Sequence, residues 1–334
     1  MNAVFRRLLI AGPAWFWFFL RMLVNVLSPV GSGKRLTVLI YHHILPDNIN
    51  LLDEGAIDAD AFNWQMRMVS KVFNVLTLDE ALDLSRVNAL PRRAVAITFD
   101  DGYRDNYTEA VPILNRYGLK ATFFVVGNAV KEGNIWNQRL AQAILAFDCN
   151  QVDLSEIGLG VISLATEDDR IQANLQLNDR LKDLPPDLQK EKIDYILDKA
   201  KINKSGRAML NEVEVANMVA EGMEIGCHTM SHPMLKVISL EQAEQDIQAC
   251  NCYLSKVSGQ KLLFFAYPYG KLGQHFTKEH AALVEKLGFK AAFTSDWGTM
   301  SDRSNPYLIN RFTPWDKTPF RFLVRLALNF NRSD

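Results

Sequence analysis

Short, nearly continuous apolar runs that are rich in β-branched and aromatic residues recur along the chain from residue 36 onward. This pattern is typical of strands that are buried on both faces, as in a parallel sheet covered by helices. It predicts strands at residues 36–42, 72–78, 94–100, 120–126, 223–228, 262–268 and 291–295, and a further late strand that ends at Arg311.

Stretches with apolar residues at helical spacing separate these runs. Thr77 and Glu80 have the spacing of a capping box, which marks a helix start. Gly118, Gly222 and Gly288 stand where helices commonly end. Alternating strands and helices predict an α/β barrel or a doubly wound sheet. The chain has neither a Gly-x-Gly-x-x-Gly nor a Walker sequence, so the nucleotide-binding versions of these folds are disfavoured.

The alternation of strands and helices is interrupted at about residues 150–210. These residues are polar and charged and include Pro185-Pro186, a composition that predicts a helical insertion and not a second core. Residues 34–317 are predicted to form one domain around this insertion. A C-terminal helix is predicted in residues 318–334.

The first 33 residues form a basic, apolar and aromatic segment. Its apolar run at residues 8–20 is 13 residues long and is followed by Arg21, whereas a spanning helix needs about 20 apolar residues. Arg6 and Arg7 precede the run as in a signal peptide, but no small-x-small cleavage site follows. We expect a helix that lies in the membrane interface. A signal anchor and a helix packed on the body are the alternatives.

Charge and cysteine content give the expected surroundings of the protein. The 37 Lys+Arg and 38 Asp+Glu residues give a net charge of −1, which argues against a nucleic-acid partner. Residues 1–46 nevertheless carry five basic residues and no acidic one. The four cysteines are irregularly spaced and do not indicate a disulfide framework. We therefore predict a membrane-associated protein, with the cytoplasmic face favoured by unpaired cysteines and by the missing cleavage site.

Residues that can carry chemistry follow two of the predicted strands. Asp100 and Asp101 end the run at residues 94–100, and adjacent carboxylates repel each other unless a cation neutralises one of them. His228 and His232 end the run at residues 223–228, at a spacing that can direct two imidazoles to one point. Alone, that pair could equally be two surface histidines. Asp101, His228 and His232 together supply three ligands, the composition of a catalytic metal site.

Three sequences in this order are similar to the motifs of the polysaccharide deacetylase family, the NodB-homology group of carbohydrate esterase family 4. They are TFDDG at residues 98–102, HTMSH at 228–232 and FAYPYG at 265–270, and the resemblance covers most of residues 36–316. The resemblance implies a distorted (β/α) barrel of about seven strands and metal-dependent removal of N-acetyl groups from a glycan.

The family's pattern also implies roles for individual residues. It makes Asp100 the general base and places a divalent metal on Asp101, His228 and His232. Zinc is the metal we expect first, with nickel or cobalt as alternatives. The substrate would be a cell-surface or lipid-linked N-acetylated polysaccharide. The sequence does not distinguish among such glycans.

The chain departs from the family pattern in two places. Ala266 stands where the family usually has an arginine, and no histidine follows His280 where the family's late general acid is expected. These departures leave open an alternative function, that of a degenerate, non-catalytic glycan-binding protein of the same fold.

Two residues elsewhere in the chain can replace what is missing. The segment 41–43, Tyr-His-His, resembles the poly-N-acetylglucosamine deacetylase branch, in which an early Tyr-His segment supplies the acid. We predict that His42 has this role and that His43 does not enter the site, because adjacent strand residues face opposite ways. Arg311 is predicted to orient Asp100 in place of the usual arginine.

The mechanism implied by the resemblance uses these residues together. Asp100 takes a proton from water, and His42, as an imidazolium, protonates the departing amine. The backbone N–H of Tyr269 is expected to stabilise the oxyanion together with the metal. Tyr103 and Trp297 are candidates for stacking on sugar rings, with core packing as the alternative for each.

Overall fold

Twelve short strands are present in the computed structural model, which describes residues 12–28, 34–46, 55–202 and 206–332. In chain order they are β1 (Leu36–Tyr41), β2 (Ile44–Leu45), β3 (Ile57–Asp58), β4 (Asn74–Val75), β5 (Ala94–Phe99), β6 (Thr122–Val125), β7 (Gln151–Asp153), β8 (Val161–Ser163), β9 (Glu224–Cys227), β10 (Phe264–Ala266), β11 (Ala291–Trp297) and β12 (Ile309–Arg311). Eight of them form one sheet, and the pairs β2–β3 and β7–β8 lie outside it.

The main sheet closes on itself almost completely. Its strands follow the order β1-β5-β6-β9-β10-β11-β12, all in parallel pairs, and β4 pairs with the beginning of β5. Beyond β12, the Phe312 N–H donates to the Val38 carbonyl at 2.7 Å, and the Ile40 N–H donates to the Phe312 carbonyl at 3.0 Å. These bonds join the last strand to β1. The predicted barrel of about seven strands is therefore confirmed.

The apolar runs form strands because both of their faces are covered. Every residue of β1 and β5 is buried, as expected for a parallel sheet beneath helices. The strand predicted at residues 72–78 is wrong in extent, since only Asn74–Val75 is a strand. Residue 72 ends one helix, and Thr77 caps the next by accepting from the Glu80 N–H while the Glu80 side chain accepts from the Thr77 N–H.

Twelve α-helices are found in the described residues. They are α1 (Ala14–Leu27), α2 (Ala59–Val72), α3 (Leu78–Arg86), α4 (Val111–Arg116), α5 (Gly127–Glu132), α6 (Trp136–Ala146), α7 (Glu167–Lys182), α8 (Pro186–Lys199), α9 (Glu212–Ala220), α10 (Leu240–Ser258), α11 (Lys278–Lys286) and α12 (Pro319–Asn329). A π-helical turn, Asn106–Ala110, leads into α4.

The segment between α6 and α9 differs from the predicted helical insertion. Besides α7 and α8 it contains the antiparallel pair β7–β8. Its apolar side chains pack with one face of α6 into a cluster separate from the barrel core, which includes Leu140, Ile144, Leu177, Leu181 and Ile193. Strands of three residues are too short to give a recognisable alternation, so the sequence indicated only the helices.

The two terminal helices, α1 and α12, contact each other on the outside of the barrel. One face of α1 is buried against the body through Phe16, Trp17, Leu20 and Val24. No helix within the described ranges combines the length and the apolar character needed to cross a bilayer. Of the N-terminal segment considered above, residues 1–11 and 29–33, with Arg6 and Arg7, lie outside the described residues.

Candidate active site and metal centre

A cavity of about 300 Å³ lies at the carboxyl ends of the barrel strands. The ends of β1, β5, β9, β10 and β12 all contribute to its wall, as reacting groups do in α/β barrels. Eight of the nine side chains named from the sequence line it: His42, Asp100, Asp101, Tyr103, His228, His232, Tyr269 and Arg311. Trp297 is not among the lining residues.

Asp101, His228 and His232 converge on one point. The Asp101 Oδ1 atom is 3.3 Å from Nε2 of His228 and 3.3 Å from Nε2 of His232, and all three side chains are buried. A tetrahedral ion held about 2.1 Å from each ligand keeps ligand atoms about 3.4 Å apart. The two separations from Asp101 are close to this spacing, so the triad can hold a divalent metal.

A backbone carbonyl fixes the orientation of the His228 ring. The Nδ1 atom of His228 is 2.8 Å from the Ala266 carbonyl. Because a carbonyl only accepts, Nδ1 must carry a proton, and this bond holds the ring with Nε2 directed at Asp101. Burial by itself would raise the pKa of Asp101, but hydrogen bonds from both histidines hold it well below its ordinary value. The carboxylate is thus charged and ready to bind a cation.

The loops that carry these residues are strained. Asp101 (φ 73°), Thr229 (φ 66°), His232 (φ 55°) and Tyr269 (φ 61°) all have left-handed backbone conformations. They are four of the eight non-glycine residues with positive φ in the described ranges. Such conformations are costly and persist only where surrounding contacts impose them.

Asp246, on α10, supplies some of those contacts. Its carboxylate accepts hydrogen bonds from the backbone N–H of Met230 at 2.6 Å and of Ser231 at 3.2 Å. It therefore holds the loop between His228 and His232 in shape from a helix behind the site. Nothing in the sequence indicates this residue, because an isolated aspartate on a helix gives no signal.

Arg311 and Asp100 form a buried, bidentate ion pair. Arg311 Nη1 donates to Asp100 Oδ1 at 2.7 Å, and Nη2 donates to Oδ2 at 2.6 Å. The remaining Nε donates to the Thr294 carbonyl at 2.7 Å, so the guanidinium is fixed at both ends. Burial raises the pKa of Asp100, but the charge and hydrogen bonds of Arg311, together with the charges of His228 and His42, outweigh it and leave the pKa below the usual value. Arg311 thus makes the contact expected of the arginine that Ala266 replaces.

The two early histidines occupy different environments, as strand alternation predicts. His42 lines the cavity beside both aspartates. Burial lowers the pKa of His42, and the charges of Asp101 and Asp100 oppose that effect. His43 is not a lining residue. Its Nδ1 is 2.6 Å from the Asp105 carboxylate, and its ring stacks on Tyr103.

The three aromatic residues named from the sequence differ in position. Tyr103 lines the cavity, but its ring is already stacked on His43. Tyr269 also lines it, and no described residue accepts a hydrogen bond from its backbone N–H. Trp297 lies against the ring of Trp315, with the Arg325 guanidinium 5.3 Å from its centroid. The expected role of Trp297 in stacking on a sugar in this cavity therefore has no support.

Nine lining residues were not named as site residues from the sequence, and five of them lie outside the barrel strands and the loops that follow them. They are Trp136 and Asn137 at the start of α6, and Asn178, Asp179 and Lys182 on α7. Their positions in the chain are unremarkable, and only the packing of the insertion over the barrel brings them to the cavity.

The chain is similar to known proteins over most of its length. The model of the family described as polysaccharide deacetylase matches residues 88–156 and 182–292. A putative polysaccharide deacetylase of Bacillus subtilis, YxkH, is 21% identical over 278 residues, which cover 83% of this chain and 70% of that protein. The poly-β-1,6-N-acetyl-D-glucosamine N-deacetylase of Staphylococcus aureus is 24% identical over 262 residues, which cover 78% and 67%.

Among solved structures, IcaB from Ammonifex degensii has a similar fold. Its TM-score is 0.57 at 21% sequence identity, and the match covers 90% of this chain and 98% of that one. At this identity the likeness supports the fold.

Proposed function

The chain belongs to the polysaccharide deacetylase family, and from that premise we propose that it hydrolyses the N-acetyl groups of an N-acetylhexosamine polysaccharide. One observation carries the proposal. A buried Asp-His-His triad that fits a divalent metal lies in the same cavity as a second aspartate held by a bidentate arginine. Hydrolysis of an amide by this route needs both a metal site and a base.

The reaction begins at Asp100. Because Arg311 keeps its pKa below the usual value, Asp100 is ionised at neutral pH and can accept a proton from the attacking water. The bidentate contact also holds the carboxylate in one orientation, so no reorganisation is needed when the proton moves. A divalent metal on Asp101, His228 and His232 would supply Lewis-acid activation of water and of the acetamide carbonyl. Zinc is the ion we expect, with nickel or cobalt as alternatives.

The reaction also needs a hydrogen-bond donor for the oxyanion and a proton for the leaving amine. The unpartnered backbone N–H of Tyr269 is available to donate to the oxyanion. His42 is the candidate proton donor to the amine. Burial keeps its pKa low in the free protein, and negative charge developing on the substrate would raise that pKa and favour the imidazolium.

The relatives guide the choice of glycan. Staphylococcal proteins similar to this chain are named for action on poly-β-1,6-N-acetyl-D-glucosamine. We therefore place this polymer first, ahead of peptidoglycan, lipopolysaccharide and lipid-linked sugars. The contact between Arg311 and Asp100 also removes one of the two departures that motivated a non-catalytic alternative.

Acetate release from a panel of N-acetylated glycans by metal-reconstituted protein tests the proposal. We expect release from at least one N-acetylglucosamine polymer, and a loss of roughly 10²–10⁴-fold in Asp100→Asn with metal content unchanged. Binding of a glycan without acetate release by the wild-type protein would instead support the non-catalytic alternative.

We also propose that the outer face of α1 contacts an anionic membrane, with the cytoplasmic face favoured. Trp15, Phe18 and Phe19 are 65%, 64% and 60% exposed on this face, and Met22 and Val26 are exposed beside them. A cluster of large apolar side chains on one helix face, in a segment with basic and no acidic residues, suits the interface of such a membrane. The described cysteines are unpaired, which suits a reducing compartment.

Vesicle co-sedimentation tests the membrane contact. Phe18→Ser combined with Phe19→Ser should release the protein from vesicles containing anionic lipid, because it removes two of the apolar side chains that would enter the membrane. Both side chains are largely exposed, so the fold should be kept. Val213→Ser, which alters an equally exposed apolar residue on α9, is the matched control and should remain bound. Equal sedimentation of both variants would sink the proposal.

A further inference from the structure

The segment that carries His42 begins where the pairing of its strand ends. β1 and β5 pair in parallel up to Tyr41 and Phe99, and the Asp100 N–H then donates to the Tyr41 carbonyl at 2.9 Å. His42 is the next residue and lies outside this ladder. The position of the proposed proton donor therefore depends on contacts that the sheet does not provide.

Asp105 and Asn106, at the end of the loop that follows β5, make such contacts. The Asn106 side-chain amide donates to the His42 carbonyl at 2.7 Å. The Asp105 carboxylate accepts from the Ile44 N–H at 3.1 Å through Oδ1, and its Oδ2 is 2.6 Å from Nδ1 of His43. Three consecutive residues, 42–44, are thus bonded to two neighbouring side chains.

The side chains that make these contacts are themselves held. Asn106 is fully buried, and its amide also donates to Asp105 Oδ1 at 2.9 Å. The His43 side chain is 7% exposed and that of Asp105 13%. The His43 ring stacks on Tyr103, and its Nε2 is 2.7 Å from the side-chain amide of Gln138 on α6. Both oxygens of Asp105 therefore have bonded partners where water has little access, which strengthens bonds to a carboxylate.

The loop that holds the proton donor also carries the proposed base. Asp100 and Asp101 begin this loop, and Asp105 and Asn106 end it at the π-helical turn. In the proposed reaction the base and the acid act on one acetamide group, so their spacing must match the substrate. A general acid must lie within about 2.6–3.2 Å of the atom that it protonates, and a displacement of about 1 Å can cost about 10²-fold in rate.

We infer that Asp105 is a positioning residue for the deacetylation reaction. Together with Asn106 it fixes the backbone of residues 42–44 against the loop of the base, and so keeps His42 at a productive distance from the leaving amine. Asp105 does not line the cavity, so it acts through His42 and not on the substrate. The inference rests on the proposed function, which makes His42 the proton donor.

A double-mutant cycle on kcat tests this role. The measurement is acetate release from β-1,6-linked N-acetylglucosamine oligomers by the metal-reconstituted full chain. Asp105→Asn keeps the shape of the side chain but loses its charge and one acceptor oxygen, and we expect kcat to fall about 10–100-fold with KM and metal content nearly unchanged. His42→Gln should lower kcat about 10²–10⁴-fold. The double variant should lose no more than His42→Gln alone, because Asp105 then has no acid to position.

A second substrate separates positioning from general damage to the site. The leaving group of 4-nitrophenyl acetate departs as a stable anion, so hydrolysis of this ester does not need a general acid. Asp105→Asn and His42→Gln should therefore both hydrolyse the ester within about twofold of the wild-type rate. A merely structural role of Asp105 would lower both activities together.

Asp79→Asn is the matched control. It removes the charge of a carboxylate that is paired with Lys290 at the amino edge of the barrel and does not line the cavity, so it should keep both activities. Asp105→Glu takes the place of Asp105→Asn if that variant does not fold. It keeps the charge but moves the carboxylate by one methylene group, and it should also lower kcat on the glycan and spare the ester.

Three results would overturn the inference and leave the proposed function intact. They are an unchanged kcat in Asp105→Asn, losses that add in the double variant, and an equal loss on the glycan and the ester. Failure of the wild-type protein to release acetate from any glycan would instead overturn the proposed function, from which the inference takes its proton donor.

Discussion

Carboxyl groups at the two edges of the barrel have pKa values that are shifted in opposite directions. At the carboxyl edge, the pKa values of Asp100 and Asp101 are lowered. At the amino edge, where Glu224 begins β9, the pKa is raised to about 7. Glu224 begins β9, and His228 follows the end of this strand, four positions later in the chain. A carboxyl group that resists ionisation and a site that requires an ionised carboxylate therefore lie at the two ends of one strand.

The cause of the difference is the geometry of the nearest cations. Burial is the largest influence at both edges, and it raises the pKa in each case. Asp100 has a guanidinium bonded to both of its oxygens, and this cation together with nearby histidines outweighs burial. Glu224 has the Thr122 hydroxyl at 2.6 Å, and Lys290, the cation near it, is paired with Asp79.

The residues at the two edges should therefore differ in what they affect, catalytic activity at one edge and the free energy of unfolding at the other. At the carboxyl edge, both aspartates have partners that stabilise the ionised form, whereas Glu224 is bonded to the neutral Thr122 hydroxyl. Changes at the carboxyl edge should therefore affect activity first. Changes at the amino edge should affect the free energy of unfolding and its dependence on pH.

The largest effect is expected from His228→Ala. Loss of one of three ligands should weaken metal affinity by at least about 100-fold and lower kcat/KM by roughly 10³-fold or more. Metal content after dialysis and acetate release are the measurements. Glu224→Gln, at the other end of the same strand, is the control and should keep both. A His228→Ala protein with full metal content would contradict the assigned triad.

A smaller effect is expected from Arg311→Lys. Lysine keeps the charge but cannot make two parallel bonds to Asp100 and a third to the Thr294 carbonyl. We expect kcat to fall about 10–100-fold with metal content retained, and the free energy of unfolding to fall by about 1–3 kcal/mol. An unchanged kcat would show that Asp100 does not depend on Arg311 for its orientation.

The smallest effect, and one on stability alone, is expected from Glu224→Gln. The pKa of Glu224 is about 7 when folded against an ordinary value of 4.5. The folded state therefore binds more protons than the unfolded state between these values, and the wild-type protein loses stability as pH rises through this window. The loss should be about 1–3 kcal/mol above pH 7 and absent below pH 4.5.

Denaturant unfolding of the wild-type protein and of Glu224→Gln at pH 5 and pH 8 measures this difference. The variant should be the more stable protein at pH 8, with the two proteins closer at pH 5. It should also deacetylate at the wild-type rate, because Glu224 lies at the edge opposite the cavity. If both proteins show the same pH dependence, Glu224 is not the group responsible.

Local sequence determined the barrel and the convergence of Asp101, His228 and His232. Continuous apolar runs specify strands buried on both faces, and parallel strands bring their carboxyl ends to one edge of the sheet. His228 directly follows such a strand, Asp101 is the second residue after another, and His232 is four residues beyond His228, so chain connectivity brings them to one edge of the sheet. Strand alternation predicted that only one of His42 and His43 enters the cavity, and the family resemblance indicated His42, which does line it.

Tertiary structure decided the contacts between distant elements. The partner of Asp100 is 211 residues away in the chain, and the sequence could indicate Arg311 only through the family pattern. Asp246, Trp136 and the end of α7 gave no signal, and Trp297 turned away from the cavity to pack against Trp315. Apolar periodicity tells which face of a helix is buried but not which element covers it. That is settled when the insertion and the terminal helices pack on the barrel.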